Sequence, residues 1–188
     1  MKKKIISLIL VLVLVLSLNP VNVWAEGETT GETTEVATFD ELKQAIADNK
    51  SDIVVTADIE LTEELKISTS SADITVRSKD GSVLTLTKAE GTSSSEVLFY
   101  VTKGKLTFKN ITIDGKNTGT SFSHAVTVGR DASFTLDSGA TIQNCAVSSY
   151  SGAAIYSSGE VIMNEGSAIL NCTCKNSGGA IWMGRSAM

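Results

Sequence analysis

Three cysteines and one histidine carry most of the reactive chemistry in this chain of 188 residues. Cys172 and Cys174 stand one residue apart in "ILNCTCKNSGGAIWM" (169–183), a spacing that raises the question of a metal or redox site, and Cys145 precedes Cys172 by 27 residues. A structural zinc ion takes four ligands in a tetrahedron, and His124 is the only histidine that could complete three cysteines. Carboxylates are dispersed: Asp114, Asp131 and Asp137 form no Asp-Asp pair, and Arg77, Arg130 and Arg185 are scattered along the chain. No nucleophile or carboxylate stands at a spacing that makes His124 a general base. The other candidates are rings, Tyr100, Tyr150, Tyr156 and Trp182, whose apolar faces and polar edges suit contact with sugars.

Whether any of these groups meet depends on the elements that carry them. Lys2, Lys3 and Lys4 precede an apolar run from Ile5 to Leu18, followed by Pro20 and Val23-Trp24-Ala25. That is the pattern of a secretory signal peptide over residues 1–25, with cleavage after Ala25. The run is too short for a transmembrane span of about 20 apolar residues, so no membrane insertion is expected after cleavage. Three of the 16 basic residues leave with the leader, so 13 face 21 acidic ones, a net charge of about −8. This sign excludes nucleic acid and anionic lipid as natural partners. Residues 26–37, with GETT twice in tandem, read as a flexible linker.

Residues 38–50 read as one short amphipathic helix. Thr38 and Glu41 have capping-box spacing, and Phe39, Leu42, Ala45 and Ile46 form one apolar stripe. Beyond it the period becomes two: Ile53/Val55, Ile59/Leu61, Leu65/Ile67, Ile74/Val76 and Leu84/Leu86 alternate with polar residues. Self-alignment of the later half then gives columns. Leu106, Phe134 and Val161 fall together, as do Phe108, Leu136 and Met163; Ile113, Ile142 and Ile169; and Val126, Ile155 and Ile181. A repeat of about 27 residues with short strand pairs predicts an all-β parallel β-helix over residues 51–188, of about five coils, with the helix capping its first coil. Gly115, Asn144 and Asn171 share a column, and Gly and Asn accept the left-handed backbone most readily, so a structural corner is expected there.

The columns sort the chemistry. Cys145 and Cys172 sit one above the other, and stacked α-carbons about 4.8 Å apart lie within the range a disulfide accepts; the pair is either a disulfide or two free thiols in a ladder. Cys174 has no stacked cysteine. His124 aligns near Ala153, far around the coil from the cysteines, so no metal site is expected, and no cofactor.

The cap "TFDELKQAIADN", the coil phrase "GKLTFKNITIDGKN" and the pair SGAAIY (151–156) and SGGAIW (177–182) resemble right-handed parallel β-helix proteins of the pectate-lyase-like superfamily. The nearest likeness is to bacterial surface proteins with GGAI repeats preceded by an I/F-x-N element, as in the polymorphic outer-membrane adhesins of chlamydiae. The right hand comes from that resemblance and agrees with the handedness rule for parallel crossovers. The resemblance implies a secreted or cell-surface, non-catalytic, adhesin-like or stalk-like protein facing host or matrix glycans or proteins, with Tyr150, Tyr156 and Trp182 as candidate ligand contacts. Two alternatives stay open. One is the N-terminal part of a polysaccharide lyase or glycoside hydrolase of this fold whose active site lies downstream; lyases of the fold gather acidic residues for calcium, which this stretch lacks. The other is a pure spacer.

Overall fold

Period-two alternation puts successive side chains on opposite faces of a strand, and stacking such strands in register gathers the apolar faces into one core. The computed structural model describes residues 32–90, 97–116, 124–148 and 151–184. In chain order the elements are β1 (Thr33–Val36), α1 (Phe39–Ala47), β2 (Asp52–Val55), β3 (Ile59–Leu61), β4 (Leu65–Ile67), β5 (Asp73–Ser78), β6 (Leu84–Lys88), β7 (Phe99–Lys109), β8 (Ile111–Asp114), β9 (Val126–Leu136), β10 (Thr141–Gln143), β11 (Ala146–Val147), β12 (Ile155–Ser157), β13 (Glu160–Met163), β14 (Ala168–Leu170), β15 (Thr173–Cys174) and β16 (Ile181–Met183).

Every strand pairing is parallel, and the chain winds as a β-solenoid. One large sheet runs β1-β2-β5-β7-β9-β12-β16, with β4 on β7 and β13 on β9; a second runs β14-β10-β8-β6-β3; β11 and β15 form a third. Five rungs in the second sheet are separated by four steps, so the solenoid makes about four turns, fewer than the five coils the repeat suggested. The four columns read from the sequence are all paired in register, from Leu106↔Phe134↔Val161 to Val126↔Ile155↔Ile181.

The strands β7 and β9 are longer than a single short rung. Residues 99–101 of β7 pair with β4 and residues 105–109 with β5, so one continuous strand belongs to two successive coils. The bend between them falls at Gly104, with φ 76°, where an added Cβ would sit 2.5 Å from the Thr69 carbonyl oxygen. The registers stack Ala72, Gly104, Ala132 and Gly159 at this bend; only small side chains fit where the backbones crowd.

Inside, Phe108 contacts Phe99 edge-on at 4.8 Å between centroids and Phe134 at 5.3 Å. All three are fully buried, and each such side chain stabilises by roughly 1.5–3 kcal/mol through burial alone. Outside, the columns are fastened by charge. Arg77 donates through Nε and Nη2 to the two carboxylate oxygens of Asp52 at 2.8 and 3.0 Å, and this pairing holds the Asp52 carboxyl below its usual range.

Left-handed residues shape two corners next to the second sheet. At the first, between the large and second sheets, Gly81, Asn110, Gly139 and Gly166 all have positive φ. Three of them stand third in a hydrogen-bonded turn, as in Lys79-Asp80-Gly81-Ser82, where Ser82 N–H donates to Lys79 O; positive φ at that position is the type II signature that selects glycine. The second corner is the one expected from the sequence. Asn144 and Asn171 are left-handed with φ 53°, but Gly115 is not; Lys116, at 58°, takes that conformation instead. The reason is Asp114, whose Oδ1 accepts the Lys116 N–H at 2.7 Å and closes a local Asx turn one residue later. Gly115 is required for closeness, since a Cβ there would lie 2.9 Å from Cys145 Sγ.

At the N-terminal end Thr38 caps α1 with both halves of a capping box: its Oγ1 accepts Glu41 N–H at 3.3 Å, and Glu41 Oε2 accepts Thr38 N–H at 3.1 Å. Leu42, Ala45 and Ile46 are buried against the first coil. The expected linker over 26–37 ends sooner. Thr33–Val36 pairs in parallel with β2, and Val36 joins the core. The rung at residues 160–183 is thinly covered among the described residues: Ile162, Met163, Leu170 and Met183 are 40%, 43%, 48% and 52% exposed.

Replacing Phe108 by Ala removes the ring shared by Phe99 and Phe134 and is expected to cost about 3–5 kcal/mol, whereas Thr38→Ala costs about 1 kcal/mol by loss of the cap. Urea denaturation of the two variants checks the order; a Thr38 effect equal to or larger than that of Phe108 contradicts it.

Candidate functional site

On the outer face of the large sheet, strand register draws one column through Lys66, Tyr100, Thr127, Tyr156 and Trp182. Residues in such a column lie about 4.8 Å apart along the ladder, close to the separation at which rings stack, so consecutive aromatics must either stack or splay. Tyr156 and Trp182 stack, with centroids 4.4 Å apart and planes 11° from parallel. At the other end Lys66 Nζ lies 5.8 Å from the centroid of Tyr100, within cation–π reach.

Thr127 interrupts the rings, and its Oγ1 is buried without a hydrogen-bond partner. His124, arriving just before β9, stacks on Tyr156 at 4.9 Å and 25°. Two near-parallel neighbours cannot share one face, so Tyr156 is sandwiched between His124 and Trp182. What this column offers a ligand is therefore the ring edges and the outer face of Trp182. Gly184 passes beside that ring; a side chain there would begin 2.7 Å from Trp182 Cζ3.

His124 is 5% exposed. Its Nδ1 lies 2.8 Å from the Gly152 carbonyl oxygen, a geometry that places a proton on Nδ1. Burial pushes its pKa down, and the bond to Gly152 opposes that only partly.

Tyr150 lies outside the described residues, as does Arg185. Cys145 and Cys172 are stacked, since Gln143↔Leu170 and Ala146↔Thr173 flank them in register, and Cys174 stacks on Val147; all three are free thiols. The acidic residues do not converge. Asp114 ends β8 in the second sheet and is held by Gln143 Nε2 at 2.8 Å and Asn144 Nδ2 at 2.9 Å. Asp137 follows β9, where Asn164 Nδ2 donates to it at 2.7 Å and holds its carboxyl below the usual range. Asp131 lies within β9. Among the described residues no group of His, Cys, Asp and Glu could hold a metal ion. A groove of about 180 Å³ between α1 and β4, reaching Lys43 and Lys66, is smaller than the roughly 300–1,000 Å³ of small-molecule sites.

Comparison of the chain with models of protein families, with curated proteins and with solved structures gives no match.

The part of His124 in the stack was hidden because the residue stands outside the GGAI phrases. Lys66 and Tyr100 were legible only by extending the Ile155 column downward, from Ile155 to Val126 to Phe99 to Leu65, and moving one residue along.

The folded-state pKa of His124 lies below the unfolded value near 6.5. As pH falls through that window the unfolded chain takes up the proton first, so stability declines, and the decline stops once pH is below the folded pKa. The carboxylates of Asp52 and Asp137 lose their contribution at lower pH, below their own unfolded values near 4. Urea midpoints at about pH 7 and pH 5 should therefore fall less in His124→Gln than in the parent protein; equal falls contradict the assignment.

Proposed function

We propose that this chain is an exported β-solenoid of bacterial cell-surface type, right-handed and pectate-lyase-like, that acts without catalysis as an adhesin-like or stalk-like scaffold. Its glycan-facing side is the outer column of the large sheet that carries Tyr100, Tyr156 and Trp182. The observation that carries the reading is the half-buried Tyr156–Trp182 stack, 4.4 Å between centroids, which ends a column also bearing Lys66. Sugars pack their C–H faces on rings, their hydroxyls accept from the Trp N–H and exchange hydrogen bonds with the Tyr hydroxyl, and a cation at the far end suits acidic glycans. Export is supported by the basic and apolar leader pattern over residues 1–25, which lies outside the described residues. The repeated SGAAIY (151–156) and SGGAIW (177–182), whose last two residues pair in register as Ile155↔Ile181 and Tyr156↔Trp182, support the surface-protein likeness.

The dispersed acids speak for a scaffold. Asp114 and Asp137 are each engaged by amide donors, and Arg77 is engaged by Asp52, so these groups are occupied in holding rungs together.

Binding to a glycan array should fall at least about tenfold in Trp182→Ala and in Tyr156→Ala, with the circular dichroism of the solenoid retained; unchanged binding removes the aromatic column from the reading. Release of unsaturated uronate from pectin in calcium buffer overturns the non-catalytic part. N-terminal sequencing of secreted protein is expected to begin at Glu26.

A further inference from the structure

The sulfur column is unused by this reading and lies away from the aromatic one, at the corner between the second and third sheets. Cys145 is completely buried, while Cys172, one rung above it, is partly exposed and packs against the same core. In-register parallel strands set their α-carbons about 4.8 Å apart, inside the roughly 4.4–6.8 Å that a disulfide spans. Each thiol donates to a carbonyl oxygen two residues before it, Cys145 Sγ to Gln143 at 3.4 Å and Cys172 Sγ to Leu170 at 3.3 Å, so the two sulfurs hold equivalent places in adjacent rungs. The packing below is consistent with a crowded sulfur, since residue 115 must be glycine to make room for Cys145 Sγ. Cys174 is turned elsewhere, toward the carbonyl oxygens of Asn176 and Ser177 at 3.2 and 3.5 Å. The rung that carries Cys172 is also the one whose apolar side chains are least covered.

We propose that Cys145 and Cys172 form a reversible inter-rung clip, closed by thiol–disulfide exchange with a small external disulfide, that fastens the rung at residues 160–183 to the rung beneath it.

The exchange starts at the accessible sulfur. The Cys172 thiolate attacks one sulfur of the external disulfide, whose S–S bond breaks; one half leaves as a thiolate and takes up the proton that Cys172 gave to water. Cys145 then loses its proton, attacks Cys172 Sγ and displaces the second half as a thiol. Two protein thiols are oxidised and one external disulfide is reduced to two thiols, so electrons and protons balance. The order of events follows the environment of each group. The neighbouring Cys145 thiol holds the Cys172 pKa below that of an ordinary thiol, while the proximity of Cys172, together with burial, pushes that of Cys145 up. The accessible thiol is the nucleophile and the buried one resolves.

The test uses the full chain, reduced and then incubated with oxidised glutathione, with remaining thiols alkylated before digestion. A glutamyl endopeptidase is required, because no Lys or Arg lies between the two cysteines whereas Glu160 and Glu165 do. The expected product is a peptide pair joined through Cys145 and Cys172 with Cys174 alkylated, formed equally in Cys174→Ser. Amide exchange over residues 168–174 should slow by about tenfold on closure. The proposal is overturned by alkylation of all three thiols, by a Cys172–Cys174 link, by a glutathione adduct that persists on Cys172, or by a closed clip that leaves amide exchange unchanged.

Discussion

In-register parallel stacking is the constraint from which the rest follows. Once strands lie about 4.8 Å apart with no offset, each residue has as its nearest non-local neighbours the residues one repeat before and one repeat after it. A side chain must then be compatible with its own column. Apolar columns become the core around Phe99, Phe108 and Phe134. Crowded columns must be small, as in Ala72, Gly104, Ala132 and Gly159. Charged columns gain from alternating in sign, which Asp73 and Lys105 do across adjacent rungs, while Arg77 reaches diagonally to Asp52. The same rule brings two cysteines together and sets two rings face to face.

The rule also makes the two ends different. Interior rungs satisfy their backbone groups on both sides, but an end rung has one open side and one uncovered layer of side chains. At the N-terminal end β1 pairs with β2 and α1 lays Leu42, Ala45 and Ile46 on the core. The capping box makes this short helix affordable as a lid, because nine residues would be marginal without caps and packing. The rung at residues 160–183 has no comparable covering among the described residues, and its inward positions Val161 and Ile169 are only partly buried.

Much of this was legible in the residues because an inward column tolerates little besides apolar side chains, so Leu106, Phe134 and Val161 announced themselves at nearly constant spacing. What escaped were features whose stability comes from elsewhere. Strand β1 reads as linker because Thr33 and Glu35 point outward and only Val36 is deeply buried; pairing with β2 makes it a strand. The corner through Gly81, Asn110, Gly139 and Gly166 had a visible signal, at spacings of 29, 29 and 27, that an alignment anchored on apolar residues passes over. At Gly115 the residue type misled, since a glycine needed for closeness looks in sequence like one needed for φ. In the candidate site, Tyr156 and Trp182 were marked by their repeated phrases, while the sandwich was not, because His124 joins it from outside the strand register.

That sandwich has a spectroscopic consequence. Within residues 32–184 Trp182 is the sole tryptophan, and it belongs to β16 in the rung at residues 160–183, with one face against Tyr156. Its emission is therefore set by whether that single rung is seated: a docked indole is partly shielded from water and close enough to Tyr156 to accept its excitation, and a frayed one is not. Residues 32–184 hold no other indole to dilute the signal, so once a leader carrying Trp24 is removed, intrinsic fluorescence is a gauge of the rung at residues 160–183 rather than of the fold as a whole.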